Sequence, residues 1–203
     1  MPYYALTDAG VTVTLASPLG GVVPIDAGSL QPPGQNPAAV DRMLADEALQ
    51  HTLNHTSTAS SHRGGDFDAV FFPGGHGTMW DLPTDAGVTH AVESAFLADK
   101  FIASVCHGAA GLVTARRADG EPIVKGLRVN SFTDAEEAAV DLTDVVPFPL
   151  ESRLRALGGL FEGAANWQPF VVRDGVLITG QNPQSSELVA HALLQALGLQ
   201  KTA

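Results

Sequence analysis

Cysteine occurs once in this chain of 203 residues, at position 106, and His107 follows it. The pair lies in Ser104-Val105-Cys106-His107-Gly108, the layout of a nucleophile elbow with Cys in the place of Ser. A nucleophile held on a tight strand-to-helix turn projects into the open. It needs small residues two positions away on each side, because the backbones approach closely there, and Ser104 and Gly108 meet that need. A helix start after Cys106 turns free N–H groups and a positive dipole end toward the sulfur, which favours a thiolate. His107 beside it can act as general base. A carboxylate from another segment must then orient the imidazole. Glu136 and Glu137 are both candidates by placement.

A second motif is Pro73-Gly74-Gly75-His76-Gly77, which follows the apolar run Ala69-Val70-Phe71-Phe72. Glycines after a strand let backbone N–H groups come close to a ligand. No Gly-Lys-Ser/Thr follows, so this is not a Walker-type phosphate loop. The N–H groups of Gly75 and His107 are placed to form an oxyanion hole if Cys106 attacks a carbonyl, and His76 is a further candidate for the pocket. His51 and His55 stand four apart, with His62 beyond, a spacing that suits a metal. No His-Glu-x-x-His pattern accompanies them, and no metal site is expected. Trp167 reads as core or pocket wall.

The elements that must carry these residues follow from pattern. Pro2 to Ala9 reads as a helix stopped at Gly10. Val11 to Ala16 alternates as a strand. Val22 to Gln35 is rich in Pro and Gly and reads as irregular cover. Asn36 and Pro37 start a helix running to about His51. Ser57 to Gly65 reads as loop, Ala69 to Phe72 as a buried strand, and Thr84 to Leu97 as a helix capped by Thr84. The Cys106 strand begins at Phe101. Leu127 to Ser131 is a strand, and a helix follows with Thr133 or Asp134 as cap. Another spans Leu150 to Leu157. Phe170–Val172 and Val176–Ile178 form a hairpin around Asp174-Gly175, and Ser185 to Leu197 is the closing helix. Strand, glycine loop, helix, strand, elbow, helix is the order of a doubly wound parallel sheet. Ligands of such sheets sit at the carboxyl ends of the strands, where Gly74, Gly75 and Cys106 fall.

Composition narrows the partners. Lys and Arg total 11 against 22 Asp and Glu, a net charge of −11. That argues against sequence-independent binding to nucleic acid or to an anionic membrane, both of which need cations. A single cysteine excludes an internal disulfide framework and suits a reducing, cytoplasmic setting. No apolar run reaches spanning length, and Met1 to Asp8 lacks the charged and apolar regions of a signal peptide.

Phe71 to Pro83 and Ser104 to Gly108 resemble the ThiJ/PfpI superfamily, which has the class I glutamine amidotransferase-like fold. The heat-shock chaperone and glyoxalase III branch is the most similar. Val13 to Pro18, Gly20-Gly21, Phe132 to Glu137, Asn166 to Pro169 and Asp174 to Pro183 extend the likeness over nearly the whole chain. The resemblance implies one domain over 1–203, α/β, with a flavodoxin-like, doubly wound, mostly parallel sheet and helices on both faces. It also implies cofactor-independent, glutathione-independent conversion of methylglyoxal or glyoxal, with D-lactate as the product from methylglyoxal. Cys106 would attack the aldehyde, His107 would shuttle the proton and Glu137 would orient His107. Gly74, Gly75, His76, Gly108 and Trp167 would line the oxyanion and substrate pocket. Family members usually form homodimers and show holdase behaviour, so the resemblance implies a homodimer. A stress chaperone or oxidation sensor with Cys106 as a sulfinate, and an amidase or peptidase, are the competing readings. The family pattern also has a strand, and a Glu that bonds the thiol, ahead of the residues Met1-Pro2 match. On that pattern the first strand is missing, and the expectation is a destabilised chain with weakened catalysis.

Overall fold

The apolar runs after position 68 assemble the central sheet. The computed structural model describes residues 1–32 and 34–199, so Pro33, within the segment expected to be irregular, lies outside the described residues. The elements in chain order are α1 (Pro2–Asp8), β1 (Ala16–Ser17), α2 (Ala38–Ala45), α3 (Glu47–Leu53), β2 (Ser57–Thr58), β3 (Ala69–Phe72), α4 (Thr78–Asp81), α5 (Ala86–Leu97) and β4 (Phe101–Val105). A 3₁₀ turn over Cys106–Leu112 leads to β5 (Arg128–Val129), α6 (Asp134–Ala139), α7 (Leu150–Ala156), β6 (Leu160–Phe161), β7 (Val171–Asp174), β8 (Leu177–Gly180) and α8 (Ser186–Ala196).

The main sheet runs β3-β4-β8-β7. The first three strands are parallel, with Phe72 opposite Ser104 and Ser104 opposite Thr179. β7 returns antiparallel to β8 as a hairpin, and Asp174 pairs with Leu177, so Gly175 and Val176 make its turn. β4 is central and buried on both faces, as a strand covered by helices must be. Ile102 packs with Val88 and Val92 of α5 and with Leu112 and Leu154. Its neighbour Ala103 faces the other layer, with Leu6 of α1, Ile178 of β8, and Val189 and Leu193 of α8. Helices therefore cover both faces in a flavodoxin-like α/β arrangement. Each fully buried Leu, Ile or Val here contributes roughly 1.5–3 kcal/mol of transfer free energy. None of the described helices is long and apolar enough to cross a membrane.

The N-terminal third departs from the pattern reading. Val11, Val13 and Leu15 are half-buried and Thr12, Thr14 and Ala16 exposed, so the alternation is real. Only Ala16 and Ser17 pair, however, in parallel with Ser57 and Thr58 of β2. Thr12, Val13 and Thr14 make no hydrogen bond among the described residues. Side-chain period does not supply a neighbouring strand. The helix expected over 37–51 is two, because the Asp46 side chain caps Leu49 N and starts α3 afresh. Asn36 is not a cap; its amide holds Gln31 and Asp41 instead. Asp85, not Thr84, caps α5 through Val88 N. The strand expected over 127–131 is paired only at Arg128 and Val129.

Candidate active site

β4 delivers Cys106 at its carboxyl end. Cys106 adopts φ 59°, a left-handed conformation that costs an L-residue roughly 1–2 kcal/mol. The surroundings hold it there. A Cβ on Gly108 would lie 2.2 Å from the carbonyl oxygen of Phe72 and 2.6 Å from that of Pro73. A Cβ on Gly74 would lie 2.7 Å from Cys106 Cβ. The close approach that the sequence pattern required is present at Gly108, and Gly74 from the glycine loop adds a second against Cys106 itself.

The thiol meets His107 at once: Sγ lies 3.3 Å from Nδ1. On the far side of the ring, Nε2 lies 2.7 Å from Glu137 Oε2. A carboxylate only accepts, so Nε2 carries the imidazole proton and Nδ1 is free to accept one from sulfur. Glu137 reaches this position because Thr133 caps α6 in a capping box with Glu136. Residues 136 and 137 then leave the first turn in different directions. Glu137 turns toward the histidines. Glu136 turns the other way, and Oε1 accepts from Trp167 N, Asn182 Nδ2 and Gln181 Nε2 while Oε2 accepts from Thr133 N and Oγ1. Placement in the sequence left the two acids equivalent; geometry separates them.

His76 is a third arm of the site. Its Nε2 lies 2.8 Å from Glu137 Oε1, and its ring centroid is 4.1 Å from that of His107. The His76 side chain is 37% exposed, against 1% for His107. Phe132 packs on His107 at 4.5 Å between centroids and meets Trp167 at 5.7 Å. Trp167 therefore stands one ring removed from the imidazole. Sequence pattern alone does not mark Phe132, Gln181 and Asn182 as site residues. The signal for the last two was their place just beyond β8, at the carboxyl edge of the sheet.

Electrostatics correct one expectation. Burial pushes the Cys106 thiol up to about 12, against backbone N–H groups of His107 and Gly75 that bond the sulfur and pull the other way. The turn after Cys106 is 3₁₀ and not an α-helix, and its N–H groups do not outweigh desolvation. The resting group is a thiol. Burial also lowers the His107 pKa, although its hydrogen bond to Glu137 opposes this, so the ring is neutral and able to accept a proton. Glu136 is buried, which opposes its charge. The hydrogen bonds from Asn182, Trp167, Thr133 and Gln181 prevail and hold its pKa below the usual range.

His51 and His55 stack at 4.4 Å between ring centroids, but among the described residues they do not join a third His, Cys, Asp or Glu in one cluster. His55 Nδ1 is taken by His51 O and His62 Nε2 by Ser57 Oγ. A cavity of about 510 Å³ also lies away from the sulfur. It is bounded by Thr14, Pro18 and Val22 on one side and by Val70, Phe72 and Leu82 on the other.

A cysteine on a strained elbow of a parallel α/β sheet, backed by a histidine and a carboxylate from a separate helix, defines a class of flavodoxin-like proteins with a Cys–His–Glu constellation. The chain belongs to the DJ-1/PfpI family, whose sequence profile matches residues 1–196. It is 29% identical over 150 residues to Glyoxalase 3 of Candida albicans, a match covering 71% of this chain and only 64% of that relative's length. The solved structure of glyoxalase III from Candida albicans superposes with a TM-score of 0.85 at 26% identity, over 96% of this chain and 84% of the other. The Rapid Encystment Protein 24 kDa of Francisella tularensis superposes at 0.90 with 36% identity, over 98% and 87%.

Proposed function

We propose that this chain is a glutathione-independent glyoxalase that converts methylglyoxal to D-lactate, as a cytoplasmic homodimer built from single-domain subunits. The observation that carries the reading is the Cys106 Sγ–His107 Nδ1–Glu137 line, 3.3 Å and 2.7 Å, beneath the N–H groups of Gly75 and His107.

The neutral thiol sets the order of events. As sulfur bonds to the aldehyde carbon, its proton passes to His107 Nδ1, and Glu137 stabilises the imidazolium. The carbonyl oxygen becomes an alkoxide within reach of the two N–H groups and is then protonated to a hemithioacetal. Loss of the C1 proton to a base gives an enediol, and reprotonation at C2 gives the lactoyl thioester. Water cleaves the thioester and restores the thiol. The aldehyde carbon is oxidised and the ketone carbon reduced by the same electron pair, so the balance calls for no external oxidant, reductant or cofactor. Gly74 leaves the sulfur uncovered, Gly108 lets its turn close on the carbonyls of Phe72 and Pro73, and His76 and Trp167 line the entrance. The small reactive aldehyde is the only partner this chemistry needs.

An oxidation-sensing role fits less well. Oxidation follows thiolate character and exposure, and this thiol is buried with its pKa raised.

The test is D-lactate formation from methylglyoxal without glutathione, for the wild-type chain beside Cys106→Ala. Turnover in the first and a loss of about 10³-fold or more in the second are expected, the scale of removing a covalent nucleophile. Equal turnover in both would overturn the reading, and so would none in either.

A further inference from the structure

His76, His107 and Glu137 come from three separate segments, and each contributes one donor atom. All three atoms lie within 4.8 Å of one another. Among the described residues this is the only group of three His, Cys, Asp or Glu side chains so placed. We propose that His76 Nε2, His107 Nε2 and the Glu137 carboxylate form a reversible site for a borderline-soft divalent cation, with Zn2+ as its probe, and that occupancy silences the Cys106–His107 pair.

Two imidazoles and a carboxylate are a donor set suited to Zn2+ with an open fourth position. The donors are already gathered. Glu137 bridges the two rings at 2.8 Å and 2.7 Å, so a cation that replaces the two shared protons asks for only small movements of the ligands. Each ring then keeps one proton, now on Nδ1. The rings are also held. Phe132 packs against both, at 6.0 Å from His76 and 4.5 Å from His107, and Cys106 Sγ faces His107 Nδ1. Such outer partners orient ligating imidazoles. The buried Glu136 acts electrostatically on both Cys106 and His107, so the field at the site favours a cation. The half-exposed His76 gives a route in and room for a water or ligand oxygen at the fourth position.

The consequence follows from the tautomer. In the resting site His107 holds its proton on Nε2 and accepts at Nδ1. With a cation on Nε2 the proton sits on Nδ1 and faces the sulfur, so the ring cannot accept the thiol proton. Glu137 is engaged by the metal at the same time. The sulfur itself is not a ligand, because it lies on the opposite side of the His107 ring. His76 thus differs from Cys106 in a way that can be measured, whatever reaction the chain performs.

The test is calorimetric titration of Zn2+ into the full chain carrying Cys106→Ala, so that sulfur cannot bind. One-to-one binding is expected. His76→Gln keeps a donor for Glu137 and removes the ligand nitrogen. Added to Cys106→Ala, it should weaken binding by at least tenfold, with the fold checked by circular dichroism; Glu137→Gln should do the same. Zn2+ should also slow alkylation of Cys106 in the wild-type chain and not in His76→Gln. Absence of sub-millimolar binding in Cys106→Ala, or binding that His76→Gln leaves unchanged, would overturn the proposal.

Discussion

The floor beneath Cys106 and the layer formed by residues 11–24 are built differently. On the floor, most polar groups are buried and answered. Glu136 takes donors from Thr133, Trp167, Gln181 and Asn182, and Asn182 also bonds Ser185 Oγ and Gln168 O. The exceptions among the described residues are Ser104 Oγ, two residues before Cys106 on β4, and Asn130 Oδ1, which are buried without a partner. In the N-terminal layer the backbone of Thr12–Thr14 makes no hydrogen bond among the described residues, Leu19 and Val22 are 89% and 66% exposed, and a cavity of about 510 Å³ separates the layer from β3. Both regions border the same strand. What distinguishes them is the buried hydrogen-bond network on Glu136 and the closeness of backbone contact, and these hold a strained cysteine and its histidine in register. A buried polar group with its partners in place has one position, whereas an apolar surface accepts several.

The contrast breaks most visibly at two glycines. Gly108→Ala places a methyl 2.2 Å from a backbone oxygen that cannot swing away, and should cost about 3 kcal/mol or more in urea unfolding. Gly21 in the N-terminal layer has φ +75° but nothing within 4 Å of its would-be Cβ. Gly21→Ala should cost only the strain of that conformation, about 1 kcal/mol. Equal losses would mean that the two regions are packed alike.

Glu136→Gln is the next largest change. The amide keeps one acceptor oxygen but turns a donor toward Thr133 N or the Asn182 amide, leaving a buried clash of donors. About 2 kcal/mol of stability should go. The effect should depend on pH with a definite sign. The folded pKa of Glu136 lies below its unfolded value, so its contribution is complete above the unfolded pKa. It fades as pH falls through the folded pKa. The gap between wild type and Glu136→Gln should therefore be full at neutral pH and narrow in acid. A gap that stays constant with pH would show that the charge has no part in anchoring Trp167 and α6.

Much of this was legible in the sequence, for particular reasons. The elbow was readable because steric need leaves a local trace: Ser104 and Gly108 stand two positions from Cys106. The hairpin and the closing helix were readable from turn chemistry and period. Glu137 was reached through family resemblance, because adjacent acids at a helix start look the same until the helix has a direction. The resting thiol was not legible, since desolvation depends on what packs over the sulfur. Neither was the bridge from Glu137 to His76, between residues 61 apart in the chain. The strand expected over 11–16 failed for a similar reason: alternation fixes which side chains turn inward, and pairing depends on a partner that the pattern does not name.

The smallest expected effect lies at Leu19. An apolar side chain 89% exposed has little transfer free energy to lose, so Leu19→Ser should change unfolding stability by no more than about 0.5 kcal/mol. The value should hold across pH, because no titratable group depends on it. A loss several times larger would show that Leu19 is covered by apolar surface in solution, and the N-terminal layer would then be as closely packed as the floor beneath Cys106. Equal stability of the two proteins keeps the asymmetry: a site fixed by the Glu136 network and close backbone contacts, beside a layer where single side chains carry little.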